Sequence, residues 1–157
     1  MTVKELIREM NMDDLDDVME IENSCFASPW SIFAFEHDLL HNSHAKYFVL
    51  LNNGQIAGYT GIWMFENVGH IVNMAVRKEF RRRGYASRLL HHLIRFAHEN
   101  GVERFTLEVR ASNTAAVNLY KASGFVDVGI RPRYYQDNRE DAVIMWTRCE
   151  DGEIRFD

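Results

Sequence analysis

The stretch NMAVRKEFRRRGYA, residues 73–86, decides the fold of this chain. It predicts the end of a buried strand (residues 70–76), then a basic loop, and then a long helix that begins at Gly84. The small side chain of Ala86 keeps the first turn of this helix narrow. Free N–H groups and the positive end of the helix dipole make such a helix start an anion site, which suits a pyrophosphate group. Six basic residues and one acidic residue lie between Arg77 and Arg88. The alternative is a solvated basic loop before an ordinary helix.

Length and composition favour one globular domain spanning residues 1–157. With 46% hydrophobic residues, two prolines and nine glycines, the chain can bury a core and is not expected to be disordered. The start of the chain lacks a signal-peptide pattern, and no apolar run approaches the roughly 18 residues that a membrane span needs. We therefore expect a cytoplasmic protein that does not associate with membranes.

The charge is acidic overall and unevenly distributed. A net charge of −5 argues against general nucleic-acid binding. Residues 9–22 contain seven acidic side chains and no basic one, which would suit a basic partner or, alternatively, form a solvated helix face.

Periodicity and turn signals divide the chain into alternating strands and helices. Ser28 and Pro29 suit the cap and first position of the second helix, and Ser112 or Asn113 suits the cap of the last one. The expected strands are residues 6–10, 46–51, 55–64, 69–76, 104–109, 125–134 and 141–148, and the expected helices are residues 12–22, 29–42, 84–100 and 113–123. This order predicts an α/β (mixed α+β) fold with helices on both faces of one sheet.

The carboxyl ends of the strands at residues 76 and 109 are where a ligand would bind. Alternation places Thr106, Glu108 and Arg110 on one face of the second strand. Burial would raise the pKa of Glu108 and make it a proton acceptor, whereas the alternative is a simple ion pair with Arg110 or Arg104.

Two polar residues that follow this strand along the chain, Asn113 and Tyr120, are further candidates. The phenol of Tyr120 could protonate a leaving group, or it could pack on the sheet with its hydroxyl satisfied. Asn113 is most simply a helix cap, and its amide could also contact a ligand at the helix start.

These residues resemble the GNAT N-acetyltransferase superfamily. The pattern Arg81-x-x-Gly84-x-Ala86 after a strand is similar to its acetyl-CoA signature. LEVRASN (107–113), LYKASGF (119–125), IRPRYY (130–135), EDAVIMW (140–146) and CFASPWS (25–31) resemble the RimI-like ribosomal-protein-alanine N-acetyltransferases within it. The resemblance extends from about residue 7 to residue 147.

The resemblance implies a central, mostly antiparallel twisted sheet that is splayed at an acetyl-CoA site. The family's pattern assigns the role of general base to Glu108 and that of general acid to Tyr120, which would also contact the cofactor, as would Asn113. The remaining expected cofactor contacts are Met74, Ala75 and Val76 for pantetheine, with one N–H as an oxyanion donor, and Arg81, Arg82, Arg83, Gly84, Tyr85, Ala86 and Ser87 for pyrophosphate, mostly through the main chain.

The resemblance also implies an acceptor, the N-terminal alanine of the eighteenth small-subunit ribosomal protein. Trp30, Tyr134 and Tyr135 are the candidate acceptor contacts, and packing in an aromatic core is their alternative. We expect no metal, no direct nucleic-acid contact, and a monomer or weak homodimer. Two other interpretations remain open, because the residues expected to bind the cofactor do not determine the acceptor. The protein could acetylate a small amine or a lysine side chain, or it could be a non-catalytic acyl-CoA sensor.

Overall fold

The computed structural model describes residues 4–150 and 153–155. Its strands are β1 (Glu5–Glu9), β2 (Ala45–Asn52), β3 (Gln55–Phe65), β4 (Val68–Val76), β5 (Arg104–Arg110), β6 (Val126–Arg131), β7 (Ala142–Glu150) and β8 (Glu153–Arg155). Its α-helices are α1 (Leu15–Cys25), α2 (Ile32–His41), α3 (Tyr85–Glu99) and α4 (Thr114–Ala122), and short 3-10 turns cover Met12–Asp14 and Lys78–Phe80.

The strands form a sheet in the order β1-β2-β3-β4-β5-β7-β6, and β8 pairs with β7. The pairs β1–β2, β2–β3, β5–β7, β6–β7 and β7–β8 are antiparallel, whereas β4 and β5 are parallel. The parallel register runs from Val68 opposite Arg104 to His70 opposite Thr106. The expected α/β class with a mostly antiparallel sheet is confirmed.

Residues of the chain cluster in two compact units, of which the first comprises the described part of residues 1–63 together with residues 73–93. Its core is aromatic: the ring of Phe35 stands edge-on to those of Tyr47 and Tyr59, each with a centroid distance of 5.8 Å. Gly61 has no space for a side chain, because a Cβ there would come within 2.1 Å of the Tyr47 ring. The apolar stripe of α3 is buried as the periodicity predicts, at Leu89, Leu90, Leu93, Ile94 and Ala97.

The second unit comprises residues 64–72 and the described part of residues 94–157. Phe105, Leu107 and Val109 of β5 are buried, which confirms the predicted alternation along this strand. The Thr147 hydroxyl donates a hydrogen bond to the Gly124 carbonyl over 2.9 Å, which ties β7 to the end of α4. The expectation of a single domain stays a prediction.

The start of α2 differs from the sequence-based prediction. Ser31, not Ser28, is the cap, since its hydroxyl accepts a hydrogen bond from the Ala34 N–H over 3.2 Å. The Trp30 N–H donates to the carboxylate of Glu22 over 3.4 Å, so the chain just before α2 is engaged elsewhere. Both serines satisfy the local cap preference, so that preference by itself does not choose between them.

Several other bounds also differ from the prediction, by up to three residues. A capping box between Asn11 and Asp14 opens a 3-10 turn before α1, and α1 then runs three residues past the predicted end at residue 22. Strand β6 ends at Arg131 rather than at residue 134, and β7 reaches Glu150 rather than residue 148. Strand β8 has no counterpart in the prediction. Within the described ranges, no helix has both the length and the apolar character to cross a bilayer.

Candidate active site

The loop between β4 and α3 is exposed and basic, as the sequence predicts. Arg81, Arg82 and Arg83 are all exposed. Arg82 and Gly84 have φ angles of 63° and 78°, in the left-handed region that favours glycine. No heavy atom lies within 4 Å of the position that a Cβ of Gly84 would take, so the glycine is required for its backbone angle and not for space.

The start of α3 presents main-chain donors next to this loop. The Arg88 N–H donates to the Gly84 carbonyl over 3.0 Å, and the N–H groups of residues 85–87 precede this first helical hydrogen bond. Arg81 holds the loop in place, because its Nε donates to the Val76 carbonyl over 3.2 Å. A loop of this shape and charge fits a pyrophosphate group.

Part of the basic cluster has other partners. The Arg77 side chain is buried and pairs with Glu20 over 2.7 Å. Arg88 pairs with Glu5. The side chain of Tyr85 is also buried, and its hydroxyl accepts a hydrogen bond from the Asn52 amide over 2.6 Å. The expected cofactor contact of Tyr85 can therefore involve only its main chain.

The acidic segment at residues 9–22 is used largely within the protein. Asp14 pairs with Arg8 over 2.7 Å, and Asp17 lies 3.6 Å from Arg77. Glu20 also pairs with Arg77. These contacts give the segment a structural role that composition alone does not reveal, and they reduce the charge left for a basic partner.

The end of β4 is the expected thioester-binding strand. The Arg77 N–H donates to the Ala57 carbonyl, and because N–H groups alternate along a strand, those of Met74 and Val76 face the opposite edge of β4. The Met74 N–H already donates to the Asn73 side-chain oxygen over 3.0 Å. Val76 is therefore the better candidate for the oxyanion donor.

Glu108 on β5 has a different partner from those expected. Its Oε2 lies 2.6 Å from Nε2 of His70, and its Oε1 lies 3.8 Å from Nε of Arg131. The hydrogen bond with His70 lowers the pKa of Glu108 below its usual value, although burial acts in the opposite direction. The expected net rise of this pKa is therefore wrong, because the contact with His70 outweighs burial, and the alternative ion pair with Arg110 or Arg104 is not the contact that forms.

The sequence reasoning missed His70. The signal was available only in the sheet register, where His70 lies opposite Thr106, two residues before Glu108. An ionised carboxylate held by an imidazole can still accept a proton from a reacting group.

Tyr120 is buried on α4, with its ring edge-on to that of Phe125 at 5.6 Å. Burial raises the pKa of Tyr120 to about 12, and the nearby Tyr135 adds to the rise. The phenol is therefore protonated at neutral pH, as a proton donor must be. Asn113 caps α4, because its side-chain oxygen accepts from the Ala116 N–H over 3.2 Å.

The three aromatic residues expected at the acceptor site have different surroundings. Trp30 is half-buried and packs on the rings of Phe35 and Trp63 at 5.5 and 6.2 Å. Tyr134 is 44% exposed and stands perpendicular to Tyr135, with 5.1 Å between the ring centroids.

Arg110 holds the connection between β6 and β7. Its guanidinium lies 4.0 Å from the Tyr135 ring centroid and donates to both oxygens of Asp137 over 3.0 Å. It also lies 3.4 Å from Glu140, whose second oxygen accepts from the Ser112 N–H. We call this set of contacts the Arg110 latch. Among the described residues, no group of three or more His, Cys, Asp or Glu side chains is arranged to bind a metal ion.

A basic loop ahead of α3, a carboxylate on β5 and a phenol on α4 are the groups that the resemblance to acetyltransferases implies. The Acetyltransferase (GNAT) family matches residues 15–125, and the chain belongs to this family of acetyl-CoA-dependent enzymes. This membership confirms the predicted family and enzyme class.

Several relatives carry narrower names. A Bacillus subtilis (strain 168) protein provisionally named [ribosomal protein bS18]-alanine N-acetyltransferase is 42% identical over 146 residues, covering 93% of this chain and 97% of that protein. The [ribosomal protein bS18]-alanine N-acetyltransferase of Escherichia coli (strain K12) is 37% identical over 143 residues, covering 88% and 94%. A crystal structure of the ribosomal-protein-S18-alanine N-acetyltransferase from Escherichia coli has a TM-score of 0.85 and 35% identity, covering 92% and 94%.

Proposed function

We propose that this enzyme transfers the acetyl group of acetyl-CoA to the α-amino group of an N-terminal alanine, and that its acceptor is ribosomal protein bS18. Similarity to relatives named for this activity supports the acceptor. The observation that carries the chemistry is the Glu108 carboxylate, which His70 contacts at 2.6 Å and whose pKa this contact lowers. A ribosomal substrate also favours the cytoplasm as the site of action.

The residues of the loop and strand fit the cofactor. The N–H groups at the start of α3, with Arg81, Arg82 and Arg83, hold the pyrophosphate, and the Val76 N–H donates to the thioester oxygen. Acetyl-CoA supplies the activated acetyl group. The remaining contacts of the cofactor are those with Met74, Ala75, Ser87 and Asn113.

Proton transfer then falls to two side chains. An α-amino group has a pKa of about 8, so much of it is charged at neutral pH and must lose a proton before it attacks. Glu108 accepts that proton, and the neutral amine then attacks the thioester carbonyl to form the new carbon–nitrogen bond. The nitrogen loses its second proton as the amide forms, and this proton replaces the one that Tyr120 gives up. Tyr120 donates a proton to the departing thiolate as the carbon–sulfur bond breaks, and such acid–base steps contribute about 10²–10⁴-fold to the rate.

Acceptor binding is assigned to Trp30, Tyr134 and Tyr135. Tyr134 offers an exposed aromatic face, and the Arg110 latch orders the segment that carries it. We propose that the enzyme needs no metal and acts as a monomer or weak homodimer.

The test is initial-rate acetylation of an alanine-starting bS18 peptide, with the acetylated site located by mass spectrometry. The matched control is the same peptide with a blocked α-amino group, and a second peptide carries a lysine and a blocked N-terminus. We expect rapid transfer to the first peptide only. Transfer to the lysine peptide at a similar rate, or no transfer to any peptide by protein that binds acetyl-CoA, would contradict the proposal.

A further inference from the structure

Glu22 on α1 is a buried carboxylate with three neutral donors. Only 1% of the residue is exposed. Its oxygens accept hydrogen bonds from the Tyr59 hydroxyl over 2.5 Å, from the Asn73 amide over 2.8 and 3.1 Å, and from the Trp30 N–H over 3.4 Å. One side chain therefore joins β3, β4 and the loop between α1 and α2.

Such a group is not a favourable way to fill a protein interior. A buried carboxylate without a cationic partner costs free energy, and apolar residues of similar volume often stabilise a fold as well or better. Burial raises the pKa of Glu22, although the hydrogen bonds from Tyr59 and Asn73 oppose the rise. Stability alone therefore does not explain why a carboxylate lies at this position. The orientation that it gives to neighbouring groups does explain it.

The first consequence concerns the orientation of the Asn73 amide. The NH₂ group of Asn73 points towards Glu22, where it donates to both carboxylate oxygens, and its side-chain oxygen points away. That oxygen accepts the Met74 N–H over 3.0 Å. The Asn73 carbonyl in turn accepts from the Thr60 hydroxyl over 3.0 Å, so this residue is held on both its main chain and its side chain.

The second consequence concerns the loop before α2. The hydrogen bond from the Trp30 N–H to Glu22 holds the main chain at the residue proposed to contact the acceptor. The Trp30 ring packs on Phe35 and Trp63, which fixes the side chain of the same residue. The carboxylate of Glu22 thus contacts Trp30 in the proposed acceptor loop and Asn73, which directly precedes the proposed thioester-binding residues 74–76.

We propose that Glu22 is a positioning residue for acetyl transfer, which fixes the acceptor loop at Trp30 and, through Asn73, the hydrogen-bonding state of Met74 at the end of β4. This inference rests on the proposed function, because it takes these two segments as the binding sites of the acceptor and the thioester. Glu22 itself does not exchange a proton with the substrate.

The test is a reciprocal exchange of the two interacting groups. In Glu22→Gln, one carboxylate oxygen is replaced by an NH₂ group that faces the NH₂ group of Asn73. The Asn73 amide then meets a donor where it needs an acceptor. In Asn73→Asp, two carboxylates face each other. In the double variant, the introduced glutamine amide donates to one oxygen of the introduced aspartate, and the other aspartate oxygen accepts the Met74 N–H, so that the pair keeps its original net charge.

A matched control exists in the same unit. Asp38 is 5% exposed and accepts hydrogen bonds from Tyr47 over 2.6 Å, from Trp63 over 2.8 Å and from Asn42 over 3.1 Å. It resembles Glu22 in burial and in its neutral donors, and none of these hydrogen bonds involves Trp30 or Asn73. Because Trp63 also packs on the Trp30 ring, Asp38→Asn serves as the control for the hydrogen exchange of Met74 and not for activity.

Each variant is measured by steady-state kinetics and by amide hydrogen exchange at Met74. We expect Glu22→Gln to lower kcat/KM for the acceptor about tenfold or more while KM for acetyl-CoA stays near the original value, since a misplaced binding group is costly to rate. Met74 exchange should become faster in Glu22→Gln, remain slow in Asp38→Asn, and become slow again in the double variant together with recovered activity.

The outcomes separate this inference from the proposed function. If the original enzyme acetylates no peptide but Met74 exchange responds as expected, the proposed function fails and the positioning contact stands. If Met74 exchange is unchanged in Glu22→Gln, or if the double variant fails to recover activity that both single variants lose, the positioning role is refuted. Equally fast Met74 exchange in Glu22→Gln and Asp38→Asn would reduce Glu22 to a structural residue.

Discussion

Removal of the His70 imidazole should raise the pKa of Glu108. The two side chains meet at 2.6 Å between Nε2 and Oε2, and this hydrogen bond is the largest cause that lowers the pKa of Glu108 from its usual value of 4.5. Burial opposes it, and the charge of Arg131 at 3.8 Å gives only a smaller lowering. In His70→Ala the effect of burial is no longer balanced, so the carboxylate binds its proton more tightly.

The size of the change follows from the strength of the lost contact. A hydrogen bond to a charged group contributes about 1.5–3 kcal/mol. Removing this contact favours the protonated form of Glu108 by a free energy of that order, so its pKa should rise in His70→Ala. The higher pKa moves the loss of the ionised, proton-accepting form of Glu108 to a higher pH than in the original protein.

The assay is a carboxyl ¹³C NMR titration of protein labelled at glutamate, with the Glu108 signal assigned from its disappearance in Glu108→Gln. The matched control is His98→Ala, because His98 is also half-buried but contacts the Val102 carbonyl at 3.2 Å. An unchanged pKa of Glu108 in His70→Ala, or a value above 4.5 in the original protein, would refute the reasoning about this pair.

Three further substitutions test other parts of the site. Tyr120→Phe should lower kcat by about 10²-fold without weakening acetyl-CoA binding, since only the proton donor is lost; unchanged turnover would exclude that role. Arg110→Lys should raise the acceptor KM several-fold and leave the acetyl-CoA KM unchanged. Lysine keeps the positive charge but loses the paired hydrogen bonds to Asp137 and the contact with the Tyr135 ring. Equal changes in both KM values would contradict this prediction. Gly58→Ala should lower the free energy of unfolding in urea by about 1–3 kcal/mol, because its Cβ would lie 2.8 Å from the Ala75 carbonyl, whereas Gly129→Ala, whose nearest contact is at 3.9 Å, is the control expected to lose little.

The elements that the sequence predicts well are those whose signals are local. The turn at Asn53 and Gly54 is an example, since both residues have positive φ angles, 49° and 84°, as the Asn-Gly pair predicts. Helix α3 is another, because Gly84 and the apolar stripe at Leu89 and Leu93 lie within a few turns of one another. In each case neighbouring residues contain the whole physical cause.

The start of α2 shows where local signals become insufficient. Ser28 followed by Pro29 has a good cap preference, and so does Ser31. In the structure Ser31 is the cap, and the N–H of the neighbouring Trp30 contacts Glu22, eight positions away across a loop. No propensity scale includes that contact.

The sequence by itself determined the α/β class, the basic loop before α3, and the identity of Glu108 and Tyr120 as candidate acid–base residues. Tertiary structure decided how those groups behave. Glu108 is paired with His70, which is 38 residues away, and Asn73 is oriented by Glu22, which is 51 residues away. A pKa and a hydrogen-bonding direction depend on which groups share a buried site, and only the pairing of distant strands and helices brings those groups together.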